Sequence, residues 1–196
     1  LIAKRIFDIV AATIATVILS PLMGVSAILI KLDSKGPVLF RQVRVTQYGR
    51  EFRICKFRTM VNHADRMGSQ VTTQNDMRVT KVGKKLRGCR LDELPQLFNI
   101  ISGDMTFVGT RPEVPKYVAA YTEEMKATLL LPAGVTSEAS ILYKDAERLL
   151  ADAANADETY IKEVLPQKMK YNLESIRKFG FLKELVTMVQ TVLAVL

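Results

Sequence analysis

Apolar residues crowd one stretch near the start of the chain. From Ile6 to Ile30, 18 of 25 residues are Ala, Val, Ile, Leu, Met or Phe, and only Asp8 is charged. As one helix this stretch is roughly 37 Å long at about 1.5 Å per residue, against a hydrocarbon core of about 30 Å. Ser20-Pro21 falls in its middle. Proline removes a helix hydrogen bond and clashes with the preceding turn, so a membrane break is expected there. Each half is then too short to cross. Lys4 and Arg5 precede the stretch, and Lys31 and Lys35 follow it. Both flanks therefore carry the basic signature of a cytoplasmic side. A re-entrant helix that turns at Ser20-Pro21 satisfies both facts, with a kinked span as the alternative. Irregular backbone at membrane depth needs local partners, and the Ser20 hydroxyl is a candidate.

Alternation takes over afterwards. Residues 38–60 alternate apolar and basic positions around Gln47-Tyr48-Gly49-Arg50, which predicts a β-hairpin with cations such as Arg41 on one face. Residues 61–77 read as a polar loop. Leu94, Leu97, Phe98 and Ile101 fall at helical spacing and predict a helix over 92–101. Pro95 suits its first turn, and Ser102-Gly103-Asp104 ends it. Residues 105–112 read as a loop punctuated by Gly and Pro. Helices are expected over about 114–129, closed by Pro132 to Gly134, and over 144–154 and 157–178, the last interrupted near Pro166. Phe181 to Leu196 forms an apolar amphipathic ending that suits the core or a membrane interface. The fold class expected is α+β, mainly helical. Residues 1–35 are expected to form the membrane helix, and residues 36–196 a compact domain on the membrane surface.

Composition narrows the chemistry. The chain has 196 residues, 48% hydrophobic and 24% charged, enough for a sizeable core and too apolar for disorder. One histidine, His63, argues against a His/Cys zinc site or a Ser-His-Asp triad. Cys55 and Cys89 are expected as reduced thiols without a function. The net charge of +8 is unevenly placed: residues 1–90 hold 17 Lys or Arg against 5 Asp or Glu, and the remainder 11 against 15. A basic half points to an acidic partner. Residues 78–90 hold six Lys or Arg and no acid. Without a helix-turn-helix, zinc module or RNP-like aromatics, a lipid-headgroup or phosphate face suits them better than nucleic acid.

Asp92-Glu93 is the candidate catalytic pair. Acids at a helix start are commonly only capping groups. Here they follow a run ending in Arg87 and Arg90, and Arg111 lies in a rigid loop between Thr110 and Pro112. Cations hold phosphates, carboxylates hold Mg²⁺ bridging phosphate oxygens, and a carboxylate can attack phosphorus.

Several segments carry a resemblance. These are Lys4-Arg5-Ile6-Phe7-Asp8, the Ser20-Pro21 break, Phe40-Arg41-Gln42, Lys56-Phe57-Arg58-Thr59-Met60 and Asn75-Asp76-Met77-Arg78-Val79-Thr80. Further on come Leu91-Asp92-Glu93-Leu94-Pro95-Gln96-Leu97-Phe98-Asn99, Gly103-Asp104-Met105 and Gly109-Thr110-Arg111-Pro112. In this order they closely resemble the bacterial sugar transferases, the monotopic phosphoglycosyl transferases. The resemblance is strong over residues 4–112 and looser beyond. It implies transfer of a phosphosugar from a UDP-sugar to polyprenyl (undecaprenyl) phosphate with release of UMP, by a ping-pong route with Mg²⁺. The setting implied is the cytoplasmic face of the bacterial inner membrane, at the first membrane step of glycan assembly such as exopolysaccharide biosynthesis. Asp92 is then the nucleophile, forming an aspartyl-phosphosugar, and a metal ligand. Glu93 assists with metal or proton. Arg111 is expected on the nucleotide-sugar and Arg87 on the lipid phosphate, with Lys56, Arg58 and Arg78 as further substrate-binding candidates. Asp76 is a weaker candidate, and Asp8 is expected to pair with Lys4 or Arg5. Membrane phospholipid is an expected partner, nucleic acid is not, and a homo-oligomer is left open.

The chain departs from the family pattern at three places. Thr110 stands where a Pro is common, Thr46 where a Gly is common, and Pro132-Ala133-Gly134-Val135-Thr136-Ser137, followed by Glu138, where a Pro-Gly-Ile-Thr-Gly type segment is common. The last departure bears on the sugar rather than the reaction. Two other readings stay open at this level. One is a non-catalytic, membrane-anchored basic module binding anionic lipid or nucleic acid. The other is a direct-displacement transferase that releases UDP. The start at Leu1 leaves open whether a domain lies upstream.

Overall fold

The computed structural model describes residues 2–64, 67, 72, 76–143, 155–178 and 180–195. The apolar stretch forms α1, Ile2–Asp33, and Pro21 lies inside it. The expected interruption at Ser20-Pro21 does not end the helix. Proline has no N–H to offer the Val17 carbonyl, and the Ser20 hydroxyl donates to that carbonyl instead (2.8 Å). A substituted hydrogen bond thus takes the place of a break.

Both ends of α1 are tied to the same body. Near its start, Arg5 donates to the carbonyls of Ile100 (2.6 Å) and Ile101 (3.0 Å). Asp8 is buried and accepts from the Thr106 hydroxyl (2.6 Å), with Lys4 at 3.6 Å. Ala12 is sealed among Phe52, Ile54, Leu97, Ile100 and Met105. Near its end, Ile30 packs with Phe57 and Leu86, and Met23 and Ala27 join them. The opposite face stays bare: Ile6, Ile14, Val17, Ile18, Ile28 and Leu32 are more than half exposed.

The hairpin forms as its alternation requires. Strands β1, Leu39–Val45, and β2, Glu51–Phe57, pair antiparallel from Leu39↔Phe57 to Val45↔Glu51. The turn needs left-handed backbone, which Tyr48 (φ 57) and Gly49 (φ 76) supply. Helix α2, Lys81–Gly88, is capped by Thr80, whose side chain accepts from the Gly83 N–H. A separate 3₁₀ turn, Leu91–Glu93, precedes α3, Gln96–Ser102, so the acidic pair lies before the helix rather than in its first turn. Gly103 (φ 93) ends α3 as expected.

Beyond α3 the expectations need correction. The segment read as a loop holds a strand, β3, Met105–Val108, which pairs in parallel with β4, Ala133–Thr136. Glycine permits the pairing. A Cβ on Gly134 would lie 2.1 Å from the Gly109 nitrogen, so no side chain fits there. The expected helix 114–129 is three short pieces: α4, Pro115–Val118, α5, Glu123–Lys126, and a 3₁₀ turn, Ala127–Leu130. Helix α6, Glu138–Leu142, follows β4. The helix expected over 144–154 lies outside the described residues. The next expected helix is α7, Ala156–Thr159, a π turn, Tyr160–Val164, and α8, Leu165–Arg177, with Pro166 just where the π turn passes into α8. Helix α9, Phe181–Val195, closes the chain and returns to α1 through Phe7–Phe181 ring contact (5.2 Å) and Lys4–Glu184 (2.6 Å). The α+β, mainly helical class holds.

Thr46 links these parts. Its hydroxyl donates to the Asp104 carbonyl (2.7 Å) and accepts from the Ala133 N–H (3.1 Å). The side chain at this family departure thus fastens the hairpin to the β3–β4 pair.

Candidate active site

Three elements converge on the acidic pair. Strand β2 delivers Lys56 and is stitched to α3 by Asn99, whose amide accepts from the Cys55 N–H (2.8 Å) and donates to the Arg53 carbonyl (3.0 Å). The 3₁₀ turn delivers Asp92 and Glu93. The loop after β3 delivers Arg111, its base fixed where the Gly134 N–H donates to the Thr110 carbonyl (2.9 Å).

The two carboxylates sit in opposite surroundings. Glu93 is saturated. Lys56 donates to its Oε1 (3.0 Å), Arg111 Nη2 to the same oxygen (2.5 Å), Arg111 Nη1 to Oε2 (3.4 Å), and Arg90 stands at 3.9 Å. Burial disfavours its charge, but Arg111, then Lys56, overcome it and hold the Glu93 carboxyl far below the usual carboxylate range. Asp92 is 8% exposed and makes no side-chain hydrogen bond or ion pair among the described residues. Burial pushes its carboxyl above the ordinary value, and Glu93 adds to this, while Lys56, Arg87 and Arg111 pull the other way. An unpaired, desolvated carboxylate is more basic, and so more nucleophilic, than one shared among three cations. The surrounding cations outnumber the two acids, which favours phosphates in the remaining space.

A buried network stands behind the Arg111 loop. Glu113 accepts from Lys168 (3.1 Å) and from the Tyr160 hydroxyl, and Arg44 lies at 3.7 Å. Lys168 also donates to the Tyr160 oxygen (2.7 Å), and Arg44 to the Pro112 carbonyl (3.1 Å). Burial disfavours the Glu113 charge, yet Lys168 and Arg44 prevail and lower its carboxyl. The π turn and α8 thus brace Arg111 from the rear.

The structure sorts the sequence candidates. Lys56, Asp92, Glu93 and Arg111 come together, and Arg87 acts on Asp92 electrostatically. Arg58 does not join them. It is 5% exposed and donates to the carbonyls of Lys35 (2.9 Å) and Ser34 (2.7 Å), closing the end of α1. Arg78 is engaged with Asp76 (2.6 Å) and the Ala64 carbonyl (3.1 Å), so both belong to the loop before α2. Carbonyls and a local carboxylate take up these two guanidiniums, and the structure does not bring them to the acidic pair. Glu138 pairs with Lys183 (2.9 Å). Arg90, Arg44, Tyr160 and Lys168 were missed. Arg90 was legible in part, three residues before Glu93, whereas the others reach Glu113 across 47 or more residues.

Among the described residues no group of three or more His, Cys, Asp or Glu side chains could hold a metal. Mg²⁺ takes one or two carboxylates and completes its shell with water and substrate phosphates. Asp92, unpaired, fits that donor set, while Glu93, saturated, does not.

The chain belongs to the bacterial sugar transferase family, whose model matches residues 1–196. It is 38% identical over 196 residues to the UDP-N-acetylgalactosamine-undecaprenyl-phosphate N-acetylgalactosaminephosphotransferase of Aeromonas hydrophila, covering 98% of this chain and 43% of that protein. It is 36% identical over 181 residues to the UDP-glucose:undecaprenyl-phosphate glucose-1-phosphate transferase of Escherichia coli K12, covering 90% and 36%. It is 35% identical over 146 residues to the uncharacterized sugar transferase EpsL of Bacillus subtilis, covering 74% and 71%. The chain thus spans less than half the length of the first two.

Proposed function

We propose that the chain transfers a sugar-1-phosphate from a UDP-sugar to polyprenyl phosphate and releases UMP. The observation that carries this is the contrast between Asp92 and Glu93, met in a family whose named relatives catalyse such transfers. An Asp92 oxygen attacks the sugar-linked phosphorus. The bond from that phosphorus to the bridging oxygen breaks, and UMP leaves with the oxygen. A phosphate oxygen of the polyprenyl phosphate then attacks the same phosphorus, the Asp92–phosphorus bond breaks, and polyprenyl diphosphate-sugar forms. Glu93 does not compete for phosphorus, because its oxygens are tied to Arg111 and Lys56; it holds those cations in place. Asp92 would hold Mg²⁺, whose charge would screen the anions that meet in the reaction. Glucose and N-acetylgalactosamine both occur in the relatives' names, and the sugar is read as a choice made elsewhere in the pocket.

The same reading keeps α1, a helix that runs on through Pro21, at the cytoplasmic face of the bacterial inner membrane with both of its ends on that side. The support is that residues near both its ends bond to one body while its outer face is apolar. In a Cys89→Ser background, cysteines at Ile2 and Lys35 are expected to react with an impermeant reagent from one side only. Labelling from opposite sides would overturn the topology.

The test of the reaction is UMP release in detergent with Mg²⁺, polyprenyl phosphate and a panel of UDP-sugars. One donor is expected to give lipid-dependent UMP that Asp92→Asn abolishes. Without lipid, a burst equal to the enzyme present is expected. UDP as the product, or full activity in Asp92→Asn, would overturn the mechanism.

A further inference from the structure

The two ends of α1 carry similar charges in sequence and opposite ones in effect. At the N-terminal end the cations are consumed: Lys4 pairs with Glu184 (2.6 Å), and Arg5 is spent on two carbonyls of α3. At the C-terminal end no acid among the described residues takes them, although Lys31 donates to the Gly36 carbonyl (2.9 Å). Lys31, Lys35, Lys81, Lys84 and Lys85 are exposed, and none makes an ion pair among the described residues. The nearby acid, Asp33, is committed to the Val82 N–H (3.1 Å). That bond, with Ile30 against Leu86, docks α2 on the end of α1. Helix α2, which carries Lys81, Lys84 and Lys85, is thus held at the end of α1 where Leu32 is 79% exposed and closes the bare apolar face.

We infer that α2 and the end of α1 form a docking surface for anionic phospholipid headgroups, so that the protein prefers negatively charged bilayers and rests on them by this end. The inference rests on reading α1 as a membrane element. Charge complementarity selects the partner: exposed ammonium groups that no acid neutralises, next to an apolar-to-polar boundary, meet lipid phosphates there. The paired N-terminal end has no such surplus.

The test is flotation of the full chain with phosphatidylcholine vesicles, with and without about 30 mol% phosphatidylglycerol, an anionic fraction that sets a negative surface potential. Two variants are compared. One carries Lys81→Gln, Lys84→Gln and Lys85→Gln. The charge-matched control carries Lys126→Gln, Lys162→Gln and Lys178→Gln, lysines that are exposed and engaged with acids. Wild type and control are expected to bind more tightly when phosphatidylglycerol is present, less so in about 0.5 M salt. The α2 variant is expected to lose roughly 10- to 100-fold of that gain while binding neutral vesicles as before. An unchanged gain in the α2 variant, or an equal loss in the control, overturns the inference and leaves the membrane reading standing. Failure of wild type to float with either vesicle overturns both. A gain unchanged in the α2 variant together with lost DNA-oligomer binding assigns the surface to nucleic acid and overturns it as well.

Discussion

Two glutamates 20 positions apart, with α3 and β3 between them, are held in nearly the same way and to different ends. Glu93 and Glu113 are both buried, both gripped by a lysine and an arginine, and both lowered by those cations. Around Glu113 the acid is matched: a tyrosine and a lysine fill one oxygen, and among the described residues no acid stands unpaired beside it. Around Glu93 the match is incomplete, because Asp92 is left over. The lesson is that a buried ion pair becomes a site when its neighbour is denied a partner. A closed pair of the same composition is a brace.

Four measurements break or sharpen this contrast. The largest effect is expected for Asp92→Asn, with UMP release falling by about 10³-fold or more and thermal stability unchanged or slightly raised, since no partner is lost. A destabilised Asp92→Asn protein would mean that Asp92 is a brace too. Next, Arg111→Lys keeps the charge but cannot grip Glu93 through two nitrogens. It is expected to lower kcat/KM by about 10²-fold, and near-normal turnover would remove the clamp from the mechanism. Third, Glu113→Gln strands Lys168 and Arg44 in the interior. Unfolding in detergent is expected to become easier by about 3 kcal/mol, with turnover of the folded fraction falling by no more than about tenfold. The smallest effect is on pH. The Glu113 carboxyl is lowered from an ordinary 4.5, so its charge favours the folded state above that value. This contribution is lost as pH falls toward the lowered value in the folded protein. The melting temperature of Glu113→Gln is expected to fall less steeply than that of wild type in this acid range, and parallel curves would deny the lowered carboxyl.

What the sequence disclosed follows the range over which each decision is made. The apolar run, the hairpin alternation and the stop at Gly103 are local patterns, and they formed as local physics requires. Asp92, Glu93, Lys56 and Arg111 were legible because cations and acids crowd one stretch and the motifs follow in family order. The placement of Arg58 and Arg78 away from the pair was not legible, because a guanidinium's sequence position does not reveal whether carbonyls or carboxylates will reach it first. The β3–β4 pair was invisible: each strand has four residues, and its partner lies 28 positions away. The Glu113 network stayed hidden for the same reason, with its donors on a π turn and α8.

The tight crossing of Gly134 and Gly109 has a consequence for genetics. Any side chain at Gly134 would force the two strands apart, shift the Thr110 carbonyl it holds, and carry Arg111 off Glu93. In a survey of random substitutions scored by lost turnover alone, Gly134 would rank with Asp92 and Arg111, though it is 23 positions from Arg111 and offers no functional group. A second score, for protein abundance in the membrane, would separate the hinge pin from the blade.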